Sequence, residues 1–352
     1  MKKIEMKRFK SIFMAGILAI ALAGCGSPGA SESVEIPGDA ETKQEQAEEA
    51  GTTGSDSGNA SEITIAISTD PGDLSPWVTG NDGRNACLRN VYESLGVNDS
   101  LDGGMKLVML KSYELDEDGW TYHCELYDNI YDTAGNPVKA SDVVFSYETA
   151  KEVGKLNPIK YVESITETGD YTFDLVMSVQ SVGEWENLIG QVYVVSQAAY
   201  EASPDGMITD PVGTGCYEMT EYIPASSMTF TKAESYWQAD ESARYSMANV
   251  DTIRYSIISE GSQVAVALET GTVDVGYCLS AEQTNRFYDM DGFTVNAEPD
   301  FMFYCLHYNC DTGTVFDNQK LRQAVSYAID REALLVSVGA KDGTVLKGFG
   351  TP

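Results

Sequence analysis

The residues that most often carry chemistry are sparse in this sequence and poorly spaced for it. Its two histidines, His123 and His307, each lack a second histidine, cysteine or carboxylate at a metal-ligand spacing beyond chance. His123 precedes Cys124 in a segment that alternates like a β-strand, where neighbouring side chains point to opposite faces. A shared metal ion or a thiol–imidazole nucleophile is therefore not expected from this pair. The sequence predicts no metal site and no catalytic residue.

Other enzymatic signatures are also missing. No Gly-x-Ser-x-Gly nucleophile elbow occurs, and the carboxylates are so numerous that a pair at glycosidase spacing carries no information. The run that contains Gly213, Thr214 and Gly215 lacks the lysine and the length of a phosphate-binding loop. We interpret these three residues as a structural turn in which glycine permits a close approach of the backbone. No cofactor is expected.

The cysteines predict little about chemistry. Besides Cys25, six of them remain, and outside the cell they could form up to three disulfides in fifteen pairings. A chain of this size does not need disulfides to hold its core together. Cys305 and Cys310 lie five positions apart on what we predict to be one strand, facing opposite sides. We expect buried thiols, with at most one disulfide.

Composition excludes several classes of function. The chain has 352 residues, with 23 Lys and Arg against 54 Asp and Glu, which gives a formal net charge of −31. Such an acidic surface repels phosphate backbones, so a nucleic-acid partner is not expected. The hydrophobic fraction of 43% is ordinary for a folded protein. The length suggests about two globular units.

The N-terminus has the pattern of an export signal. A basic start is followed by an apolar run from Ile12 to Leu22, which is too short to span a membrane as a helix. The run ends in Leu-Ala-Gly-Cys25, which resembles the lipobox of bacterial lipoproteins, in which the cysteine thiol receives a diacylglycerol. We predict a lipoprotein signal peptide over residues 1–25 and lipidation of Cys25. The alternative is a free cysteine that closes a buried helix.

Residues 26–60 have the composition of a linker. From Ser27 to Ala60 the segment has no aromatic residue and eight carboxylates against Lys43 alone. It cannot bury enough apolar area to offset its chain entropy, so we expect a disordered, extended acidic leash. An acidic tail that binds a partner is the alternative, although the sequence names no partner.

The remaining chain mixes strands and helices. Alternating β-branched residues predict a strand at Ile63–Ile67, which runs into a turn-rich loop. Two hairpins are expected, one around Asp118-Gly119 and one between Lys160 and Met177. No strict βαβ rhythm and no repeat is found. We therefore predict an α/β body with more than one lobe.

Three helices are predicted with individual details. One covers Asp142–Ala150 with Ser141 as its cap, and a second covers Ser262–Thr270 and closes at Gly271. The third begins after Asp317, where apolar residues recur at helical spacing and predict one buried stripe. The members of that stripe are Leu321, Ala324, Val325, Ala328 and Ile329.

Five segments, in this order, resemble the extracytoplasmic solute-binding proteins of family 5, which includes oligopeptide-, dipeptide- and nickel-binding lipoproteins of ABC importers. Three departures, Cys124, Lys139 and Cys216, stand at packing or capping positions. The segment PVGTGCY, for example, is similar to the family's PVGTGPY. The five segments are the loop Asp70–Pro76, then Ser112–Leu126, Gly135–Ser146, Pro211–Tyr217, and Asn309 with Phe316–Glu332.

This resemblance implies an α/β, two-lobed fold like that of periplasmic binding proteins of the class II or cluster C type, with an inserted subdomain. The family's chains continue well beyond the helix that ends near Glu332, so we expect a C-terminally truncated chain with an incomplete second lobe. The implied units are a first lobe of residues 61–95 and 206–297, an inserted subdomain of 96–205, and the start of a second lobe at 298–352.

The resemblance also implies a ligand site between the lobes. The strand-to-loop exit at Ser68, Thr69 and Asp70 is where α/β sheets usually contact ligands. The segment 301–309 resembles the family's crossing strand, which makes Tyr304 and Asn309 candidates. The alternatives are that Asp70 only forms a turn before Pro71 and that Tyr304 belongs to the core.

The function implied is capture of a small solute, most simply a peptide, by a monomeric protein held on the outer face of the cell membrane, for delivery to an ABC permease. Three alternatives remain open: a sensor or scavenger that does not serve transport, a truncated product without function, and an exported hydrolase. The sequence does not identify the solute.

Overall fold

The computed structural model describes residues 61–80, 82–98, 104–238, 248–277, 279–296, 305–341 and 343–346. The predicted signal peptide (1–25), Cys25, the predicted linker (26–60) and Tyr304 lie outside the described residues. The strands are β1 (Glu62–Ile67), β2 (Glu93–Ser94), β3 (Gly96–Asn98), β4 (Met105–Leu107), β5 (Leu110–Leu115), β6 (Thr121–Leu126), β7 (Val162–Gly169), β8 (Thr172–Met177), β9 (Tyr193–Val194), β10 (Tyr217–Ile223), β11 (Ser227–Lys232), β12 (Thr252–Ile257) and β13 (Val275–Gly276). The α-helices are α1 (Asp82–Leu88), α2 (Ala140–Val153), α3 (Val182–Gln191), α4 (Gln197–Ala202), α5 (Gly261–Glu269), α6 (Ala281–Thr284), α7 (Gln319–Ala328) and α8 (Arg331–Val338), and short 3₁₀ turns cover Pro158–Tyr161 and Val315–Asp317.

Two sheets organise the described chain. The larger has the order β10-β11-β12-β1-β13, in which β1 runs parallel to both β12 and β13 while β10 and β11 form an antiparallel hairpin. The other is the antiparallel sheet β5-β6-β8-β7. Strand β1 is thus joined to strands that follow it by almost two hundred residues, and the four-stranded sheet lies between them in sequence. The boundaries expected for the first lobe, the inserted subdomain and the second lobe remain predictions.

The core is rich in aromatic side chains. Trp77, Tyr92, Phe173 and Trp185 are all at most 2% exposed. Trp185 of α3 stacks on Tyr122 of β6 with ring centroids 3.8 Å apart, so this helix packs through an aromatic pair against the four-stranded sheet. The indole nitrogen of Trp185 is buried without a hydrogen-bond partner. These rings belong to one buried cluster that also includes Ile67 at the end of β1.

Helix α2 begins before the position that its sequence predicts. Its N-cap is Lys139 rather than Ser141, and the side chain of Asp142 accepts a hydrogen bond from the Lys139 backbone N–H at 2.8 Å. The same carboxylate accepts from the backbone N–H of Gln197 at 2.8 Å. A carboxylate in the first turn therefore fulfils the capping role and also ties α2 to α4.

The predicted stripe on α7 is not buried. The helix forms at Gln319–Ala328, but none of its residues is buried, and Leu321 is 44% exposed. An amphipathic pattern shows that a helix has an apolar face but not what covers it. Within the part of the chain that the structure describes, that face stays uncovered, so the expectation of burial is wrong.

The expectation of buried thiols holds only in part. Of the six cysteines after Cys25, Cys278 lies outside the described residues. Cys87 and Cys124 are buried, Cys216 is half-buried, and Cys305 and Cys310 are exposed; these five are free. Residues 305–310 have no regular secondary structure, so the strand geometry expected for them is absent. None of the helices among the described residues is long and apolar enough to cross a membrane.

Candidate functional site

The carboxyl ends of three parallel strands meet at one edge of the larger sheet, which we call the carboxyl edge. It consists of Ser68–Asp70 after β1, Ile258–Glu260 after β12, and Tyr277 after β13. Two hydrogen bonds hold these exits beside one another, from the Ile258 N–H to the Ile67 carbonyl at 2.8 Å and from the Tyr277 N–H to the Ala66 carbonyl at 3.1 Å. Such an edge is the usual ligand-contact position of an α/β sheet.

Two of the predicted ligand contacts present hydroxyl groups at the carboxyl edge. Ser68 and Thr69 are both exposed, and their hydroxyl oxygens lie 3.4 Å apart. Neutral hydroxyls both donate and accept, which suits the amide groups of a peptide-like solute. These two side chains are therefore placed where a solute can reach them.

Asp70 has a different environment from its two neighbours. Its carboxylate accepts hydrogen bonds from the Tyr222 hydroxyl at 2.6 Å, from the Gly72 N–H at 2.9 Å and from the Ala225 N–H. Partial burial alone would raise the pKa of Asp70, but the hydrogen bonds from Tyr222, Gly72 and Ala225 outweigh it and lower that pKa. The carboxylate thus fastens the loop after β1 to the β10–β11 hairpin.

The hairpin turn is shaped for this contact. Ala225 has a φ of 58°, a left-handed conformation that costs free energy for a residue with a β-carbon. Burial and the bond to Asp70 raise the pKa of the Tyr222 phenol from its usual 10 to about 12, and the phenol donates to the Asp70 carboxylate. Sequence analysis missed both residues, because no local pattern links them to a loop about 150 positions earlier.

Of the two candidates in the predicted second lobe, only Asn309 is described. It is exposed, its side-chain oxygen accepts from the Asp311 N–H at 3.0 Å, and its carbonyl accepts from the Thr314 hydroxyl at 2.8 Å. These bonds organise its own turn. The structure does not bring Asn309 and Ser68–Asp70 together in any contact between described residues.

The predicted Gly213–Gly215 turn lies against the segment that precedes β2. A β-carbon on Gly213 would lie 2.3 Å from the Val91 carbonyl oxygen, and one on Gly215 would lie 2.3 Å from that of Asn90. The Gly215 N–H donates to the Val91 carbonyl at 2.7 Å. Backbone therefore packs directly on backbone here, which is what a glycine allows.

Glu93 of β2 connects the Gly213–Gly215 turn to the segment that contains Tyr236 and Trp237. One carboxylate oxygen accepts from the Thr214 hydroxyl at 2.8 Å and from the Trp237 indole N–H at 2.7 Å, and the other accepts from the Tyr236 hydroxyl. Burial raises the pKa of Glu93, and the three neutral donors offset part of that effect. We call Glu93, Thr214, Tyr236 and Trp237 the Glu93 cluster. Sequence analysis did not single out Glu93, although a carboxylate between apolar residues was a visible signal.

Within the described residues, no group of three or more histidine, cysteine or acidic side chains could hold a metal ion. His123 does pair with a carboxylate, since its Nδ1 lies 2.7 Å from Asp174 on the neighbouring strand β8. His123 is exposed and Asp174 is half-buried on the four-stranded sheet, which is a different sheet from the one that forms the carboxyl edge.

Comparison with known families gives a match over most of the chain. Residues 105–352 match the model described as bacterial extracellular solute-binding proteins, family 5 middle. The glutathione-binding protein GsiB of Escherichia coli K12 is 26% identical over 301 residues, which cover 83% of this chain and 57% of that protein. GsiB of Pectobacterium atrosepticum is 24% identical over 300 residues, covering 83% and 55%. The chain spans little more than half the length of these relatives.

Solved structures share the fold. AppA of Bacillus subtilis, an oligopeptide-binding protein in complex with a nonapeptide, superposes with a TM-score of 0.67 at 17% identity, over 82% of this chain and 57% of that one. NikZ of Campylobacter jejuni, in complex with Ni(L-His), superposes with a TM-score of 0.66 at 20% identity, over 78% and 54%. The predicted α/β fold of the two-lobed periplasmic binding proteins is confirmed.

Proposed function

We propose that this chain, which belongs to the bacterial extracellular solute-binding proteins of family 5, captures a peptide-like solute outside the cell. The family match over residues 105–352 is the observation that carries this proposal. In this proposal the solute is delivered to an ABC permease and is bound without being cleaved. GsiB and AppA, which resemble the chain, bind glutathione and a nonapeptide.

The carboxyl edge supports a role in binding. Ser68 and Thr69 leave two exposed hydroxyls beside the ends of parallel strands, and the bonds to Asp70 hold their loop in place. A loop that is ordered before the solute arrives loses less conformational entropy on binding. We propose that Ser68 and Thr69 contact the solute, that Asp70 positions their loop, and that Tyr304 and Asn309 contribute from the second lobe.

Calorimetry tests this assignment. The full chain is titrated with a small panel that includes glutathione, a dipeptide and a nonapeptide, and the best ligand is then titrated into the Ser68→Ala/Thr69→Ala variant. Loss of two hydrogen bonds is expected to weaken binding about tenfold, or about 1.4 kcal/mol. Ser164→Ala/Thr166→Ala, which removes the same groups from exposed positions of β7, serves as the matched control. Equal affinity in both double variants would contradict the assignment, and slow cleavage of the bound peptide would contradict a binding function.

We also propose that Cys25 carries the lipid that holds the protein at the outer face of the membrane. The basic and apolar segments before Leu-Ala-Gly-Cys25 support this. A single thiol is the attachment point, so Cys25→Ser is expected to move the protein from the membrane fraction into the soluble fraction. Wild-type chain processed in parallel is the control, and a Cys25→Ser variant that stays on membranes would contradict the proposal.

A further inference from the structure

The segment 305–310 carries two exposed cysteines and an exposed histidine. The Cys305 sulfur lies 3.0 Å from Nε2 of His307, and both side chains are exposed. The second cysteine, Cys310, is exposed as well, but its sulfur donates to the carbonyl oxygen of Tyr308 at 3.4 Å. Two thiols in the same short segment therefore have different hydrogen-bond partners.

These partners have opposite consequences for reactivity. The carbonyl oxygen beside Cys310 can only accept a hydrogen bond, so it offers that thiol no base. The imidazole beside Cys305 can accept a proton and can also donate one, so a base lies within reach of that sulfur. The thiolate, not the thiol, is the nucleophile in exchange with disulfides. A thiol and a base within hydrogen-bond reach are the usual geometry of an activated cysteine.

We propose that Cys305 is a thiol–disulfide exchange site for small disulfides and that His307 activates it. The Cys305 proton passes to Nε2 of His307, and the resulting thiolate attacks one sulfur of the small disulfide. A new disulfide forms between Cys305 and that sulfur, while the original S–S bond breaks and its other sulfur leaves as a thiolate. That leaving thiolate takes the proton from His307 and departs as a thiol. Cys305 is thereby oxidised and the small disulfide is reduced, so no oxidant other than that disulfide is needed.

The other described cysteines provide a contrast. Burial raises the pKa of Cys87 to about 12 and that of Cys216 to about 11. Burial also raises the pKa of Cys124. All three thiols are therefore protonated at neutral pH, and those of Cys87 and Cys124 are also buried away from a reagent. The inference about Cys305 concerns surface chemistry and stands whether or not the chain binds a solute.

The first experiment compares the two exposed cysteines within one molecule. The reduced full chain is treated with dithiodipyridine, a neutral disulfide, at neutral pH. Samples are quenched with acid over time, and tandem mass spectrometry of the digested protein gives the modified fraction at each cysteine. We expect Cys305 to react about tenfold faster than Cys310. Equal rates at the two positions would overturn the proposal.

Variants then test the role of the imidazole. His307→Asn keeps a polar side chain but removes the base, so the Cys305 rate should fall about tenfold while the Cys310 rate stays unchanged. The Cys310 rate in the same molecule also shows whether the segment keeps its structure. A Cys305 rate unaffected by His307→Asn would refute activation.

Oxidised glutathione tests the exchange with a biological disulfide. In a Cys310→Ser variant, where no neighbouring exposed thiol can displace the adduct, we expect one glutathionyl group on Cys305, released by a reducing agent. The Cys305→Ser/Cys310→Ser double variant is the matched control and should gain none at this segment. A Cys310→Ser chain that remains unmodified at Cys305 under excess oxidised glutathione would count against the proposal.

Discussion

The Glu93 cluster permits a test that separates the hydrogen-bonding role of a carboxylate from its charge. Thr214 is 1% exposed and Trp237 is 6% exposed, so neither donor could turn to water if the acceptor were removed. Tyr236 has a second acceptor, the side-chain oxygen of Gln238 at 3.2 Å. In Glu93→Ala, two buried donors would stay unsatisfied at about 2 kcal/mol each. We therefore expect the free energy of unfolding to fall by about 4 kcal/mol.

Glu93→Gln should behave very differently. The amide oxygen can occupy the position that accepts from Thr214 and Trp237, and the amide NH₂ can donate to the Tyr236 oxygen. The Tyr236 proton would then turn to Gln238, so that every donor keeps an acceptor. Because burial raises the pKa of Glu93, removing its charge also removes a desolvation cost. We expect a change within about 1 kcal/mol of wild type, in either direction.

The direction of the Glu93 pKa shift determines how the stability of the fold depends on pH. A folded-state pKa above the usual 4.5 means that the native state binds the proton more tightly than the unfolded chain. The stability of wild type relative to Glu93→Gln should therefore be highest below 4.5 and fall as the pH rises through the folded pKa. Urea unfolding followed by tryptophan fluorescence measures it. If Glu93→Gln loses as much stability as Glu93→Ala, the charge itself holds the cluster together and the reasoning is wrong.

Two further outcomes follow from single contacts. Gly213→Ala should destabilise the fold by about 3 kcal/mol or more, because its β-carbon would meet backbone. Gly183→Ala lies in helix α3 with its nearest neighbour 4.0 Å away, and it should stabilise the fold by about 0.5–1 kcal/mol. Thermal unfolding compares the two variants, and similar shifts of the melting temperature would contradict the packing argument. The bond to Asp174 raises the pKa of exposed His123 above 6.5, so the pair stabilises the fold below 6.5 and this contribution disappears as the pH rises through the folded pKa. In an NMR titration Asp174→Asn should bring that pKa back toward 6.5, and an unchanged titration curve would show that Asp174 is not its cause.

Local sequence patterns predicted the strands, hairpins and helices whose signals lie within the element itself. Strand β1, both hairpins and helix α5 lie close to their predicted positions, because alternation, turn residues and a closing glycine act over a few positions. Gly271 has the φ of 69° expected of a helix-closing glycine. The start of α2 was missed because an acidic residue in the first turn performs the capping that Ser141 was expected to provide.

Contacts between distant segments could not be read in this way. Glu93 meets Thr214 across 121 positions, and Asp70 meets Tyr222 across 152. Nothing in the residues around Asp70 distinguishes a carboxylate that binds solute from one that fastens a loop. The stripe on α7 shows the same limit, since periodicity indicates an apolar face but not its covering partner. The contact between Cys305 and His307 was not predicted either, because the strand expected at 301–309 does not form over residues 305–310.

The two carboxylates act on the same part of the molecule. Asp70 fastens the loop after β1 to the β10–β11 hairpin, and Glu93 fastens the turn that leads into that hairpin to the strand that follows α1. The hairpin is thus held at its entrance and at its tip by acceptors from the first forty described residues. The contact at the tip of the hairpin also restrains the loop after β1, which carries the hydroxyls of Ser68 and Thr69. If Ser68 and Thr69 contact the solute as proposed, replacing Asp70 or Glu93 should weaken solute binding measured by calorimetry, because preorganisation is lost although neither carboxylate touches the solute.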